Sequence, residues 1–184
     1  QNRRYLGLRV DAAARLAGKE ILAFVLDLLH EEKTQVDAIY FTMSEENLRA
    51  ILRKPYVMIG SDSGCRAHYG PLSTGRPHPR TFGTFARILG HYVREEHLFD
   101  LSTAIRKMTS DPCRRMGLAD RGWIRPGSIA DIVLFDPDRV QDSATYEEPI
   151  RYPVGVHTVL VNGVVTVEAG EHTGVRAGRI VTKC

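Results

Sequence analysis

Residues 37–62 constrain the fold more than any other part of the chain. Asp37–Thr42 holds a short apolar run, Ala38-Ile39-Tyr40-Phe41, that predicts a strand. Ser44 is placed to cap a following helix whose apolar face is Leu48, Ile51 and Leu52, and Pro55 is placed to stop it. Tyr56-Val57-Met58-Ile59 predicts a second strand. A strand–helix–strand unit builds parallel sheet, because parallel neighbours need a crossover. A buried parallel strand presents its last polar residue at the carboxyl edge of the sheet. Here that edge is Gly60-Ser61-Asp62-Ser63-Gly64, and Asp62 is its acidic group. Asp and Ser between glycines also suit an ordinary turn, and this stretch alone leaves both readings open.

The flanking sequence gives the rest of the organisation. Asp11 is placed to cap an Ala-rich helix that Gly18 ends. Glu20–Glu32 predicts a second helix, with Ile21, Val25, Leu28 and Leu29 at three- and four-residue spacing. Phe85, Ile88, Leu89, Tyr92 and Val93 form the clearest amphipathic pattern, with Thr84 as its expected cap. Ser102 is placed to cap a helix carrying Ile105 and Met108, which Pro112 breaks, leaving at most one further turn over Cys113–Gly117. Past Gly122 the texture changes to β-branched runs and turn signals. Ala130–Phe135 predicts a strand, His157–Val161 and Val164–Glu168 flank the hairpin signal Asn162-Gly163, and Arg179–Thr182 predicts a last strand. The fold class is therefore α/β to about Gly122 and mostly β beyond it.

Composition removes several classes of function. The 184 residues are 43% hydrophobic and 26% charged, a globular balance, and no apolar run approaches the roughly 20 residues of a membrane span. The net charge of +3 comes from dispersed basic residues without interleaved aromatics, which gives no support to nucleic-acid binding. Cys65, Cys113 and Cys184 are widely spaced and odd in number, so neither a zinc CxxC pattern nor a disulfide framework is indicated. A reducing, cytoplasmic compartment is the expectation.

The residues around Asp62 carry the candidate chemistry. His68 and His78 lie nearest to it in sequence, and His78 sits stiffly between Pro77 and Pro79. Arg80 follows that rigid segment, where its guanidinium can clamp a carboxylate or bridge to a local acid or carbonyl; spacing alone leaves both open. A catalytic metal site needs about three protein ligands, and the seven histidines make no convincing set. His30-Glu31 lacks the second His of a zinc-protease helix, the glycines around Asp62 lack a P-loop Lys, and no Ser lies in a nucleophile elbow.

A set of short motifs resembles the D-aminoacylase (N-acyl-D-amino-acid deacylase) group of the amidohydrolase superfamily. They are Gly60-Ser61-Asp62, Tyr69-Gly70-Pro71-Leu72, Arg76-Pro77-His78-Pro79-Arg80, Gly83-Thr84-Phe85, Leu89-Gly90-His91-Tyr92-Val93-Arg94 and Lys107-Met108-Thr109-Ser110. Asp120-Arg121-Gly122, Gly127 with Ala130-Asp131, Phe135-Asp136-Pro137, Pro153-Val154-Gly155 and Val161-Asn162-Gly163 continue the likeness. The resemblance implies the last strand–helix units of a metal-dependent, TIM-like (β/α)8 barrel over residues 1–122, with 1–36 from a helical insertion over the active site. Residues 123–184 would then be C-terminal strands of a small β-sandwich domain. It implies a zinc hydrolase of N-acyl-D-amino acids, with metal ligands on earlier strands and none in this chain. Metal-bound hydroxide would attack the amide, Asp62 would carry the water's proton to the leaving amine, and Arg80 would hold the substrate carboxylate. Tyr69 and His78 would flank the substrate.

Two residues depart from the group's pattern: Ser63 stands where Gly usually follows the catalytic Asp, and Cys113 follows Pro112 where Ala is usual. A barrel of eight units needs about 250 residues. The chain is therefore expected to be the C-terminal portion of a longer enzyme, inactive alone and completed by missing barrel segments or by self-association. The alternatives are another amidohydrolase acting on cyclic amides, or a non-catalytic binding or assembly module.

Overall fold

A computed structural model describes residues 2–182. It separates between Thr42 and Met43 into two compact units. In the first, helix α1 (Val10–Leu16) and helix α2 (Ile21–Glu31) follow a 3-10 turn at Asn2–Tyr5. Their buried core is Ala13, Ala14 and Phe24, with Tyr5, Val25 and Leu28 packed on it. The Tyr5 and Phe24 rings meet edge to face at 5.0 Å. Gly18 takes φ +67 where α1 ends, the left-handed turn that glycine makes without a Cβ penalty. Asp11 is not the cap. Arg9 occupies that position, and Asp11 sits in the first turn bridging Arg9 and Arg15.

The second unit begins with helix α3 (Glu45–Leu52), which Ser44 caps by accepting the Asn47 amide at 3.2 Å. An irregular stretch follows, then helix α4 (Arg80–Arg87), which runs on as a π-helical segment over Ile88–Glu95. Helices α5 (Leu101–Met108) and α6 (Ser110–Met116) complete the helical part. The strands β1 (Ile132–Phe135), β2 (Val156–Val161), β3 (Val164–Glu168) and β4 (Glu171–His172) form an antiparallel meander. Asn162 and Gly163 both take positive φ, +50 and +80, as a two-residue hairpin turn requires.

One core joins helices to sheet. Leu52, Ile59, Ala86, Ile88, Leu89, Tyr92, Ala104 and Val140 are buried together, with Phe135 and Val156 of the sheet packed against them. Each large aliphatic side chain there contributes about 1.5–3 kcal/mol. Backbones also approach closely: a Cβ on Gly155 would lie 2.5 Å from the Val140 amide nitrogen, and one on Gly90 would lie 2.7 Å from the Val140 carbonyl. Arg94 closes the same corner, donating to the Val140 carbonyl at 2.6 Å and to Gln141 at 2.8 Å.

Several expected elements differ. Residues 37–42, 56–59 and 179–182 form no strand among the described residues. A strand exists by pairing, and the contact found for Ile59 is a single bond from its amide to the Lys107 carbonyl at 3.1 Å. The four-residue apolar runs are strand-like in composition but have no ladder among the described residues. The main helix starts at Arg80 rather than beside Thr84, because Pro79 pre-sets the entry; the Thr84 hydroxyl instead donates back to the Arg80 carbonyl. Asp100 rather than Ser102 caps α5, its carboxylate accepting the Thr103 amide at 2.6 Å. Pro112 does not end the helical run: it lies in the first turn of α6, where its missing N–H costs nothing.

Candidate active site

The chain that leads to Asp62 is held from beneath by Lys107. Its side chain is only 1% exposed, and its ammonium donates to the carbonyls of Lys54 at 2.5 Å and Val57 at 2.7 Å. With the Ile59 amide on the Lys107 carbonyl, residues 54–59 are tied to α5 at three points. Burial, then Arg106, lowers the Lys107 pKa from its usual value.

Beyond this clamp the chain turns at Asp62, which takes φ +47. Asp is among the few residues that enter the left-handed region readily. Its carboxylate is 90% exposed and meets Arg80 Nη2 at 3.0 Å. The sequence left two readings of Arg80 open, and the structure shows the bridge to a local acid. Such an exposed pair stabilises by at most about 1 kcal/mol, so a competing carboxylate displaces it readily. Arg80 spends only part of its five-donor fork on Asp62. Ser63, the residue that departs from the group's pattern, donates to Thr81 Oγ1 at 2.8 Å and so fastens the turn to α4.

His78 and Tyr69 occupy different surroundings. His78 Nδ1 accepts the Arg80 amide at 3.1 Å, and Nε2 faces the Tyr146 hydroxyl at 3.4 Å. Burial, reinforced by the Arg80 charge, lowers its pKa from the usual imidazole value. Tyr69 stands edge to face with His68 at 4.9 Å, and His68 meets Tyr152 in the same way at 4.9 Å. Tyr152 also tilts against Phe82 at 5.6 Å, and Arg76 donates to the Glu147 carbonyl. Residues 146–152 therefore fasten the loop 66–80 from the far side. Neither tyrosine of that segment carried a signal in the sequence, because the contacts bridge distant parts of the chain.

The arrangement supplies an accessible carboxylate able to take or give a proton, beside a cation with donors to spare. It sits on a loop that runs into a helix N-terminus.

A model of the amidohydrolase family matches residues 9–167. The chain belongs to the amidohydrolase family. It is 45% identical over 146 residues to the D-aminoacylase of Alcaligenes xylosoxydans xylosoxydans, covering 79% of this chain and 29% of that protein. A solved structure of D-aminoacylase, studied for its binuclear metal centre, superposes with a TM-score of 0.80 at 43% identity, covering 95% of this chain and 34% of the other. The N-acyl-D-glutamate deacylase of Bordetella bronchiseptica, solved with zinc and a phosphonate inhibitor, superposes at 0.74 with 39% identity, covering 87% of this chain and 31% of the other. The chain thus spans about a third of the length of these relatives.

Among the described residues no three His, Cys, Asp or Glu side chains come together as a metal-holding group. Asp62 is a single carboxylate whose neighbour is a guanidinium. Nor is any helix among them long and apolar enough to cross a membrane.

Proposed function

We propose that this chain forms the C-terminal part of a hydrolase of N-acyl-D-amino acids, with residues to about Gly122 belonging to its barrel and 123–184 to its small β domain. Asp62 carries the proton from the attacking water to the leaving amine, and Arg80 binds the substrate carboxylate. The observation that carries the reading is the pairing of Asp62 with Arg80 at 3.0 Å on an exposed turn, in a chain that shares 45% identity with a D-aminoacylase. In the resting state Asp62 occupies the position on Arg80 that a substrate carboxylate takes, and binding frees the acid for proton transfer. Tyr69 and His78 border that position.

The zinc of this chemistry is held by ligands outside the described residues, so the 184-residue chain alone retains no catalytic metal and hydrolyses nothing. Further barrel segments, or a second copy of the chain, cover apolar surface such as Met43 and Tyr56, which are 71% and 77% exposed. A reducing, cytoplasmic compartment is the reading that the three scattered cysteines support.

Two measurements test this. Metal analysis and an N-acyl-D-amino-acid assay of the purified chain should give neither stoichiometric zinc nor turnover. A chimera in which residues 43–167 replace the matching part of the Alcaligenes D-aminoacylase should turn over N-acyl-D-amino acids. In it, Asp62→Asn should lower kcat by about 10²–10⁴, and Arg80→Ala should raise KM by about tenfold or more. An active chimera that tolerates Asp62→Asn sinks the reading.

A further inference from the structure

We infer that His78 is a positioning residue whose neutral ring, held between the Tyr146 hydroxyl and the Arg80 amide, fixes the first turn of α4, and that protonation of the ring releases Arg80. The geometry is specific. Arg80 opens α4, and the amides of a helix's first turn have no partner within the helix. Pro79, at the cap position, offers no side-chain acceptor. His78 Nδ1 supplies it from two residues back, at 3.1 Å. This is the ring's version of the turn that Asn and Asp make with the amide two residues on.

That bond also assigns the tautomer. A nitrogen that accepts an N–H carries no proton, so the proton of the neutral ring is on Nε2. Nε2–H then donates toward the Tyr146 oxygen at 3.4 Å, while the two rings stand nearly perpendicular with centroids 5.2 Å apart. Protonating His78 puts a second proton on Nδ1, which turns an acceptor into a donor facing another donor. It also adds a positive charge beside the Arg80 guanidinium. The groups facing the ring are Arg80 on its own side and Tyr146 across from it, with Asp62 reached through Arg80. Burial and the Arg80 charge both favour the neutral ring, in agreement with this arrangement.

The hold on the Arg80 amide stands on these contacts alone; its consequence for substrate rests on Arg80 being the carboxylate clamp. The experiment on the purified chain therefore reads the amide, not activity. Histidine ring ¹⁵N shifts and the Arg80 amide resonance would be followed from about pH 8 to about pH 5. His78 should show the Nε2–H tautomer near neutrality, and the Arg80 amide should shift with the same midpoint as the ring. Its hydrogen exchange, corrected for intrinsic pH dependence, should quicken by about fivefold once the ring is charged. His78→Asn keeps an acceptor at the same place but does not titrate, so its Arg80 amide should stay protected throughout. Tyr146→Phe should raise the Nδ1–H tautomer fraction of His78. An Nδ1–H tautomer in the wild type near neutrality, or an Arg80 amide that ignores the ring's titration, overturns the inference.

Discussion

Within residues 43–184 the part from Arg80 to Glu168 and the loop 60–79 are ordered by different means. The first is closed by apolar burial and by backbones in near contact: Val140 lies under Gly90 and Gly155, and Ala86, Leu89 and Ala104 pack beside it. The loop buries almost nothing. Side chains arriving from elsewhere hold it, Thr81 on Ser63, Tyr146 on His78 and Tyr152 on His68. A close-packed corner resists the addition of one methyl, whereas a tethered loop can open locally without unfolding what supports it. The candidate site lies on the second kind of structure, a few residues beyond the Lys107 clamp that belongs to the first.

The comparison breaks most visibly at Gly155. An alanine there would place its Cβ 2.5 Å from the Val140 nitrogen, at a φ of +79 that alanine tolerates poorly. The atoms in the way are backbone, so nothing can swing aside. Gly155→Ala should cost about 3 kcal/mol or more, read from the urea midpoint. A cost below about 1 kcal/mol would mean that the corner is far looser than its distances say.

Lys107→Met comes next, and it sharpens the boundary between the two kinds of order. The substitution removes the ammonium from the Lys54 and Val57 carbonyls, of which the Lys54 carbonyl keeps the Val57 amide at 3.2 Å, a loss of about 2 kcal/mol. It should also change the pH dependence. The folded-state pKa of Lys107 lies below its usual 10.5, so between that lowered value and 10.5 the unfolded chain binds more protons. The wild type therefore gains stability from this group as pH rises through that window, and the methionine variant lacks the gain. Unfolding curves of both proteins at neutral and alkaline pH check the sign. A variant that keeps the wild-type slope would place its origin elsewhere.

What the sequence reveals follows the same division. The Ser44 cap and the Asn162-Gly163 hairpin are legible because their determinants lie within a few residues of each other. The runs 37–42 and 56–59 read as strands because their composition suits a buried ladder, but a ladder is made by neighbours that a local pattern does not contain. The helix start at Arg80 is obscured because the apolar period begins only at Phe85, while Pro79 sets the geometry earlier. At the site, a turn and a rigid Pro-His-Pro segment mark Asp62 and Arg80 as candidates and leave their roles open, and the resemblance is what assigns them. The tethers from Tyr146 and Tyr152 are not legible, since nothing local marks a tyrosine for a partner so far away in the chain.

Tyr152→Ala tests the loop's tethers directly. It removes ring contacts to His68 and Phe82 from a side chain that is 40% exposed. Global stability should fall by about 1 kcal/mol or less. Amide exchange over residues 66–79 should quicken markedly while the sheet β1–β3 stays protected. Equal acceleration in loop and sheet would mean that the two regions open as one, and the contrast between them would fail.

The smallest effect on stability should come from the residue given the largest chemical role. Asp62 has a 90% exposed carboxylate, one ion pair with Arg80, and a left-handed backbone that asparagine adopts as readily as aspartate. Asp62→Asn keeps size and turn geometry and removes only the charge and the basic oxygen. Its urea midpoint should match that of the wild type, while the same change in the D-aminoacylase chimera lowers kcat. A site poised to exchange partners cannot also be locked by them, because each interaction that fixed the acid in place would have to be broken before it could take a proton. An Asp62→Asn protein that unfolds much more easily than the wild type would show that the carboxylate is a structural support, and that the turn was built to be held rather than to react.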